Sequence, residues 1–287
     1  MSAKCFHKGG KSMVSKALKS RIALLSVVGM LSAVAPAAAE DAKPSFAGKG
    51  EFVVCTDATF PPMEFFEKAD DQKPVGFDID LASALANHWG LTPRLVVSDF
   101  TGLLPGLESQ RCDGVISGIL VTPERTKSYD AVPYLGTALV VFTGAKSELT
   151  ISGPADLGGK VVAVQAGTHY VEQLEAVNAK LKSEGKDEIS IQTYPKQTDV
   201  IQQVLVGRAA AAVSQDTELA YRELQQPGQL KTIYAFPGED KFGVYLRRTG
   251  DDKKAVAAAV AALAADGTLK SIAEKWRLSP ADVVSGE

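Results

Sequence analysis

Val115-Ile116-Ser117-Gly118-Ile119-Leu120-Val121-Thr122-Pro123-Glu124-Arg125 is an apolar run that meets a polar site and then a helix start. Residues 115–121 carry only Ser117 and Gly118 as interruptions, the composition of a strand buried on both faces. Thr122 supplies an N-cap hydroxyl, and Pro123 suits the first helical position, where its missing N–H costs nothing. Arg125 is therefore predicted in the first helical turn, beside free backbone N–H groups and the positive end of the dipole. A cation is unfavourable there unless an anion joins it, and a guanidinium can grip a carboxylate in a two-pronged fork. One arginine alone is as well explained by a surface ion pair, so the rest of the chain decides.

Outward from this stretch, strand-like and helix-like segments alternate. Residues 51–56 read as a strand. Residues 80–88 carry Leu81, Leu85 and Trp89 at near-helical spacing and stop at Gly90, a usual C-terminal cap. A strand at 95–97, a helix at 103–109 and a strand at 113–117 follow. After Phe142 the pattern resumes: a turn at Asp156-Leu157-Gly158-Gly159-Lys160, a strand at 161–165, and a helix from Gly167-Thr168 to about Lys182. Then come a strand at 190–193, a helix at 198–205 and a strand at 210–214 ending at Gln215-Asp216. Residues 241–247 are strand-like, and 254–275 is an alanine-rich helical region interrupted at Asp266-Gly267. This order predicts α/β architecture with parallel sheets and crossover helices. Extended segments around 137–143 and 232–242 join the two units, which makes two lobes on a two-strand hinge. Lobe 1 is expected at 40–141 and 238–287, and lobe 2 at 142–237.

Residues 1–39 read as an export signal. Lys4, Lys8, Lys11, Lys16, Lys19 and Arg21 form an acid-free basic head, residues 22–34 an apolar core, and Ala37-Ala38-Ala39 a small-residue cleavage site. The core is too short for a permanent membrane span. Without the leader, 25 basic residues face 34 acidic ones, a net charge of −9. That balance argues against nucleic acid or an anionic membrane as partner. Cys55 and Cys112 remain, and export permits a disulfide. If the strand ending at Thr56 runs parallel to the one ending at Ser117, however, the two are offset by well over the ~7 Å bridging limit. They are read as buried small hydrophobes.

Strand ends of parallel sheets point their loops at the ligand crevice. Collecting those ends gives Asp57, Phe60 and Glu64 after the first strand, and Phe100 in another such loop. Ser117, Gly118, Leu120 and Arg125 follow the third, and the second unit adds Thr168, His169, Tyr170 and Asp216. Arg125 and helix amides near Thr168 suit a carboxylate. Asp216, and more weakly Asp57, suit an ammonium, while Phe60 and Phe100 offer flat apolar faces. Those are the groups an α-amino-acid zwitterion needs. Each residue has a local alternative: a turn cap for Asp57, core packing for the two rings, a helix cap for Asp216.

The chain resembles the periplasmic solute-binding proteins of polar amino-acid ABC transporters, extracellular solute-binding family three. Residues 55–65, Gly76-Phe77-Asp78-Ile79-Asp80-Leu81-Ala82, 112–125 with Pro133-Tyr134, 159–168, 207–216, and Ala265-Asp266-Gly267-Thr268-Leu269 with Glu274-Lys275-Trp276 carry the resemblance. It implies a two-lobed periplasmic-binding-protein fold, each lobe a mostly parallel sheet with flanking helices, that closes over one ligand. It implies Arg125 on the α-carboxylate and Asp216 on the α-ammonium. Phe60 and Phe100 would lie against the side chain, Thr168 would make a second carboxylate contact, and Asp57 matches an aspartate that some members direct to the ligand. Asp78 and Asp80 look structural. Leu120 stands where many members have Ser or Thr, and His169 and Tyr170 stand where small or hydroxyl residues are common.

The expected function is capture of an amino acid or a derivative in the periplasm and delivery to an inner-membrane permease, as a monomer. The alternative is a periplasmic cyclohexadienyl dehydratase-like enzyme on the same scaffold, with Glu64 or His169 as the acid. His88 reads as a surface or packing residue. No zinc spacing, Gly-x-Ser-x-Gly elbow or phosphate-binding glycine loop is present, so no metal, cofactor or catalysis is expected.

Overall fold

The computed structural model describes residues 43–248 and 250–286. The expected signal segment and its cleavage site lie outside the described residues. The first strand, β1 (Glu51–Thr56), leads through a short hairpin of β2 (Thr59–Phe60) and β3 (Glu64–Phe65) into helix α1 (Phe77–His88). Asp78 and Asp80 occupy the first turn of α1, where the dipole favours acids. Leu81, Ala82, Leu85 and Ala86 form its buried face. Gly76 is required before it: at φ +138 a Cβ would lie 2.1 Å from the Met63 carbonyl oxygen.

The first lobe continues with β4 (Thr92–Val97), α2 (Leu103–Glu108), β5 (Gly114–Val115) and β6 (Tyr129–Thr137). The chain then crosses at Ala138 into β7 (Leu139–Gly144), β8 (Val161–Gln165), α3 (His169–Ser183), β9 (Ser190–Tyr194) and α4 (Gln197–Leu205). It proceeds through β10 (Ala211–Gln215), α5 (Asp216–Gln225) and β11 (Leu230–Ala235), and returns in β12 (Asp240–Arg247). Helices α6 (Asp252–Ala265) and α7 (Thr268–Lys275) complete the first lobe, and Asp80 of α1 accepts from Lys275 Nζ and Trp276 Nε1 at 2.6 and 2.7 Å.

Each lobe is built on one five-stranded sheet, ordered β4-β1-β5-β12-β6 and β11-β7-β10-β8-β9. Both are mixed but mostly parallel in direction, as expected. In the first, β4, β1, β5 and β6 run one way, and β12 lies antiparallel between β5 and β6. In the second, β9, β8, β10 and β11 run one way, and β7 lies antiparallel between β10 and β11. The reversed strands, β7 and β12, are the ones the chain enters directly from the other lobe.

Two expectations are corrected. Residues 122–127 do not open a helix. The Thr122 hydroxyl does cap, accepting from Arg125 N at 3.2 Å, but only a single 3-10 turn over Arg125–Lys127 follows before β6. Arg125 therefore has no helix dipole to contend with. Cys55 and Cys112 form a disulfide, with a Cα–Cα distance of 5.7 Å. The offset argument placed Cys112 in line with the third strand, yet β5 is only two residues long. The chain turns at Gln110 (φ +61), and α2 packs Leu103 and Leu107 against Val53, Cys55 and Val115. That packing brings Cys112 back over β1. Both cysteines are buried, as expected.

Candidate functional site

Arg125 is held by two carbonyls from different lobes. Its Nη1 donates to Leu120 O at 3.0 Å and its Nη2 to Gly167 O at 3.2 Å. Its guanidinium carbon lies 5.7 Å from the centre of the Phe100 ring, within cation–π range. No carboxylate pairs with it among the described residues. The anchoring carbonyl of Leu120 also accepts from Tyr245 Oη at 2.7 Å. The Leu120 side chain is buried in the core, and its backbone bridges to Phe242. Leu120 thus contributes backbone to the site and no side chain.

Phe60, Phe100, Ser117, Gly118 and Thr168 meet around one small cavity, as the strand-end argument predicts. Glu64, Gln165 and Tyr170 complete its wall. Thr168 lies immediately before α3; its hydroxyl donates to Gln165 O at 2.7 Å, which leaves the first N–H groups of the helix without a side-chain cap. Asp57 borders the same wall. Its Oδ2 accepts from Thr59 Oγ1 at 3.0 Å and from Gln165 Nε2 at 2.5 Å, and its own N–H donates to Ser117 Oγ at 2.8 Å. Burial pushes the Asp57 carboxyl from 3.8 up to about 6, against the pull of those two donors.

The remaining two expected residues lie elsewhere. His169 opens α3 and is held on it by Glu172 and Gln173, each at 2.7 Å. Asp216 lies at the hinge. Its Oδ1 accepts from Thr137 Oγ1, Ala138 N and Thr217 N at 2.8, 3.0 and 2.8 Å, and its N–H donates to Ala138 O at 2.9 Å. It lines a separate acid-rich hollow with Asp240 and Glu239.

Gln165 is not in the strand-end set read from the sequence, although it carries a visible signal, a polar residue closing the apolar run of β8 at a parallel strand end. Glu64 is in that set, with no ligand role beyond the acid of the enzyme alternative. It is 1% exposed, its Oε1 accepts from Ser117 Oγ at 3.0 Å, and Asp78 lies beside it. Asp78 in turn accepts from Gly118 N at 2.6 Å and Tyr134 Oη at 2.7 Å. Burial and the neighbouring Asp78 charge hold the Glu64 carboxyl well above the usual range, and burial raises Asp78 to about 6. Among the described residues no group of three or more His, Cys, Asp or Glu is placed to hold a metal ion.

Residues 52–279 match the sequence profile described as bacterial extracellular solute-binding proteins, family 3. The chain belongs to that family. It is 32% identical over 234 residues to the L-cystine-binding protein TcyJ of Escherichia coli (strain K12), covering 79% of this chain and 83% of that one. It is 29% identical to the lysine/arginine/ornithine-binding periplasmic protein of the same strain, over 90% and 96% of the two chains. Among solved structures, an ancestral arginine-binding protein bound to arginine matches with a TM-score of 0.70 and 30% identity, over 79% and 98% of the chains. The ancestral amino acid-binding protein AncCDT-1, a precursor of cyclohexadienyl dehydratase, matches with a TM-score of 0.70 and 28% identity, over 80% and 97%. The family and these relatives are binding proteins, so this family-3 chain is a binding protein for amino acids that works with an ABC transporter, not an enzyme. AncCDT-1 is itself described as an amino acid-binding protein.

Proposed function

We propose that this family-3 protein captures an α-amino acid between its lobes in the periplasm, after export by its N-terminal segment, and presents the closed form to a permease as a monomer. We take the boundary at the Ala138 crossing, a few residues before the expected one, so that lobe 1 comprises 40–137 and 238–287 and lobe 2 comprises 138–237. The observation that carries the reading is Arg125, a cation with no carboxylate partner among the described residues, whose guanidinium bridges the Leu120 and Gly167 carbonyls of opposite lobes. A ligand carboxylate gives the guanidinium a charged, two-pronged acceptor in place of those two neutral carbonyls, with Thr168 and the first amides of α3 as further donors. Phe60 and Phe100 then flank the side chain, Ser117 and Gly118 form the lobe 1 floor beside the Leu120 backbone, and Asp57 reads the distal end. Asp216 Oδ2, which takes none of the hinge bonds to Oδ1, receives the α-ammonium from the hinge side, next to His169 and Asp240. The cavity between the lobes has room for roughly one water molecule, so entry of an amino acid requires the lobes to part. Ligand contacts from both sides then favour reclosure.

The test is a thermal-shift and calorimetric panel of the common amino acids, cystine, ornithine and simple amines, on wild type and Arg125→Ala. A binder at ~100 times Kd adds ~2.7 kcal/mol. Arg125→Ala is expected to lose roughly 2–5 kcal/mol of that binder's affinity. A panel with no binder, or submicromolar affinity retained without Arg125, overturns the reading.

A further inference from the structure

The buried carboxyl pair beneath the cleft floor is not used by any of the contacts proposed for the ligand. Glu64 on β3 and Asp78 in the first turn of α1 are 1% and 0% exposed. No basic side chain bonds to either among the described residues. Asp78 accepts one donor on each oxygen, Oδ2 from Gly118 N at 2.6 Å and Oδ1 from Tyr134 Oη at 2.7 Å, and keeps a lone pair free on each. Glu64 is engaged on one side only: Oε1 accepts from Ser117 Oγ, and buried Oε2 meets no donor. A buried carboxylate oxygen without a donor is costly. The same oxygen carrying a proton becomes a donor, and the Asp78 carboxylate lies beside it as an acceptor. The groups facing Glu64 are all acids or neutral: Asp78 from α1, Asp57 from the end of β1, Tyr134 from β6, and Ser117. A second negative charge would have nothing to balance it.

The pair ties together the two loops that build lobe 1 of the site. Ser117 Oγ joins Glu64 to the Asp57 N–H. Asp78 fixes the N–H of Gly118, whose φ of +48 presses it against the Phe60 ring. Two residues on, Leu120 O anchors Arg125.

We propose that Glu64 is a positioning residue for ligand capture: as the protonated partner of the Asp78 carboxylate, it holds Ser117 and Gly118 in the conformation from which lobe 1 receives its ligand. Loss of that proton leaves two adjacent buried charges, which repel, and loosens the floor on which Arg125 and Phe60 depend. Glutamine at 64 is expected to substitute, because its amide donates to Asp78 and its carbonyl accepts from Ser117.

The proposal rests on the amino-acid reading only through the choice of probes, L-arginine and L-cystine. Affinity for each is measured from pH 7 to pH 9.5 on wild type and Glu64→Gln, so that titration of the probe is common to both. Wild type is expected to lose at least tenfold more affinity than the variant as pH passes the midpoint at which its own Glu64 carboxyl signal becomes ionised, and the variant should bind within threefold of wild type at pH 7. Parallel pH profiles across that midpoint, or a tenfold loss in the variant at pH 7, overturn the proposal. The ligand-free wild type supplies an independent reading: with 13C-carboxyl glutamate, Glu64 should give a protonated carboxyl signal at pH 7, and an ionised signal overturns the proposal whether or not the variant folds. Failure of the amino-acid reading looks different, since neither protein then binds either probe at any pH while the carboxyl signal still decides the state of Glu64.

Discussion

Gln165 of β8 donates through Nε2 to Asp57 Oδ2 at the end of β1, 2.5 Å away and buried, so a hydrogen bond joins the two lobes directly across the cleft. The backbone N–H of Gln197 adds a second link, to Thr59 Oγ1 at 3.2 Å. The rings of Phe65 and Tyr221 meet 5.7 Å apart. Closure is therefore partly written into the protein, and the ligand adds to it.

Gln165→Ala should weaken that ligand-independent closure. A hydrogen bond to a charged acceptor is worth about 1.5–3 kcal/mol, roughly ten- to a hundredfold in the closed-to-open ratio. Small-angle scattering of the ligand-free variant is expected to give a larger radius of gyration than wild type, with saturating ligand restoring compaction. An unchanged radius would show that the other contacts suffice.

Asp57 should make stability depend on pH in an unusual direction for an aspartate. Its folded value, about 6, lies above the ordinary 3.8, so between these values the folded chain binds the proton more tightly than the unfolded one. Stability is then full below pH ~4, declines as pH rises to about 6, and levels off above. Asp57→Asn removes the Asp57 part of the decline. At pH 7.5 it escapes an unfavourable contribution of up to about 3 kcal/mol, offset by about 1 kcal/mol because a neutral amide oxygen holds the two donors less strongly than a carboxylate does. Denaturant unfolding at pH 4 and 7.5 checks this. Asp78 titrates in the same range in both proteins, so equal pH slopes would sink the assignment to Asp57.

Much of the site was readable because strand ends of an α/β protein converge, and that rule alone brought Phe60, Phe100, Ser117, Gly118 and Thr168 to one place. The rest has physical causes. Asp216 follows β10 and opens α5, and because β7 enters from the hinge it faces the lobe crossing at Ala138, the side from which the α-ammonium is proposed to be held. Glu64 and Asp78 lie in segments that carry the family resemblance, but neither segment signals their pairing, because what defines it is mutual burial between a hairpin and a helix start. The Thr122-Pro123 signature was read correctly as a cap but could not set the length of what followed, since β6 takes up the chain after one turn. The cysteine argument failed through a strand predicted three residues too long.

The disulfide should be a large share of the stability of lobe 1. It closes a separation of 57 residues, for which the loop-entropy relation gives about 4 kcal/mol, or roughly 8–16 °C for a domain of this size. Thermal unfolding of the Cys55→Ala/Cys112→Ala double variant should show that drop, and reductant should move wild type towards it. Free thiols at Cys55 and Cys112 in the denatured, unreduced protein would contradict the pairing.

Gly118→Ala tests whether the floor of the cleft tolerates any side chain. A Cβ there would lie 2.6 and 2.8 Å from two carbons of the Phe60 ring, and φ at +48 is itself unfavourable for alanine. Relief by moving the ring displaces a wall of the cavity, while relief by moving the backbone breaks the Gly118 N–H bond to Asp78. Either route costs about 1–3 kcal/mol of stability and should weaken ligand binding at least tenfold. Gly48→Ala is the control, since nothing lies within 4 Å of a Cβ there, and its effect should stay within about 0.5 kcal/mol. Wild-type unfolding and affinity in Gly118→Ala would mean that Phe60 is free to move and does not shape the ligand's surroundings.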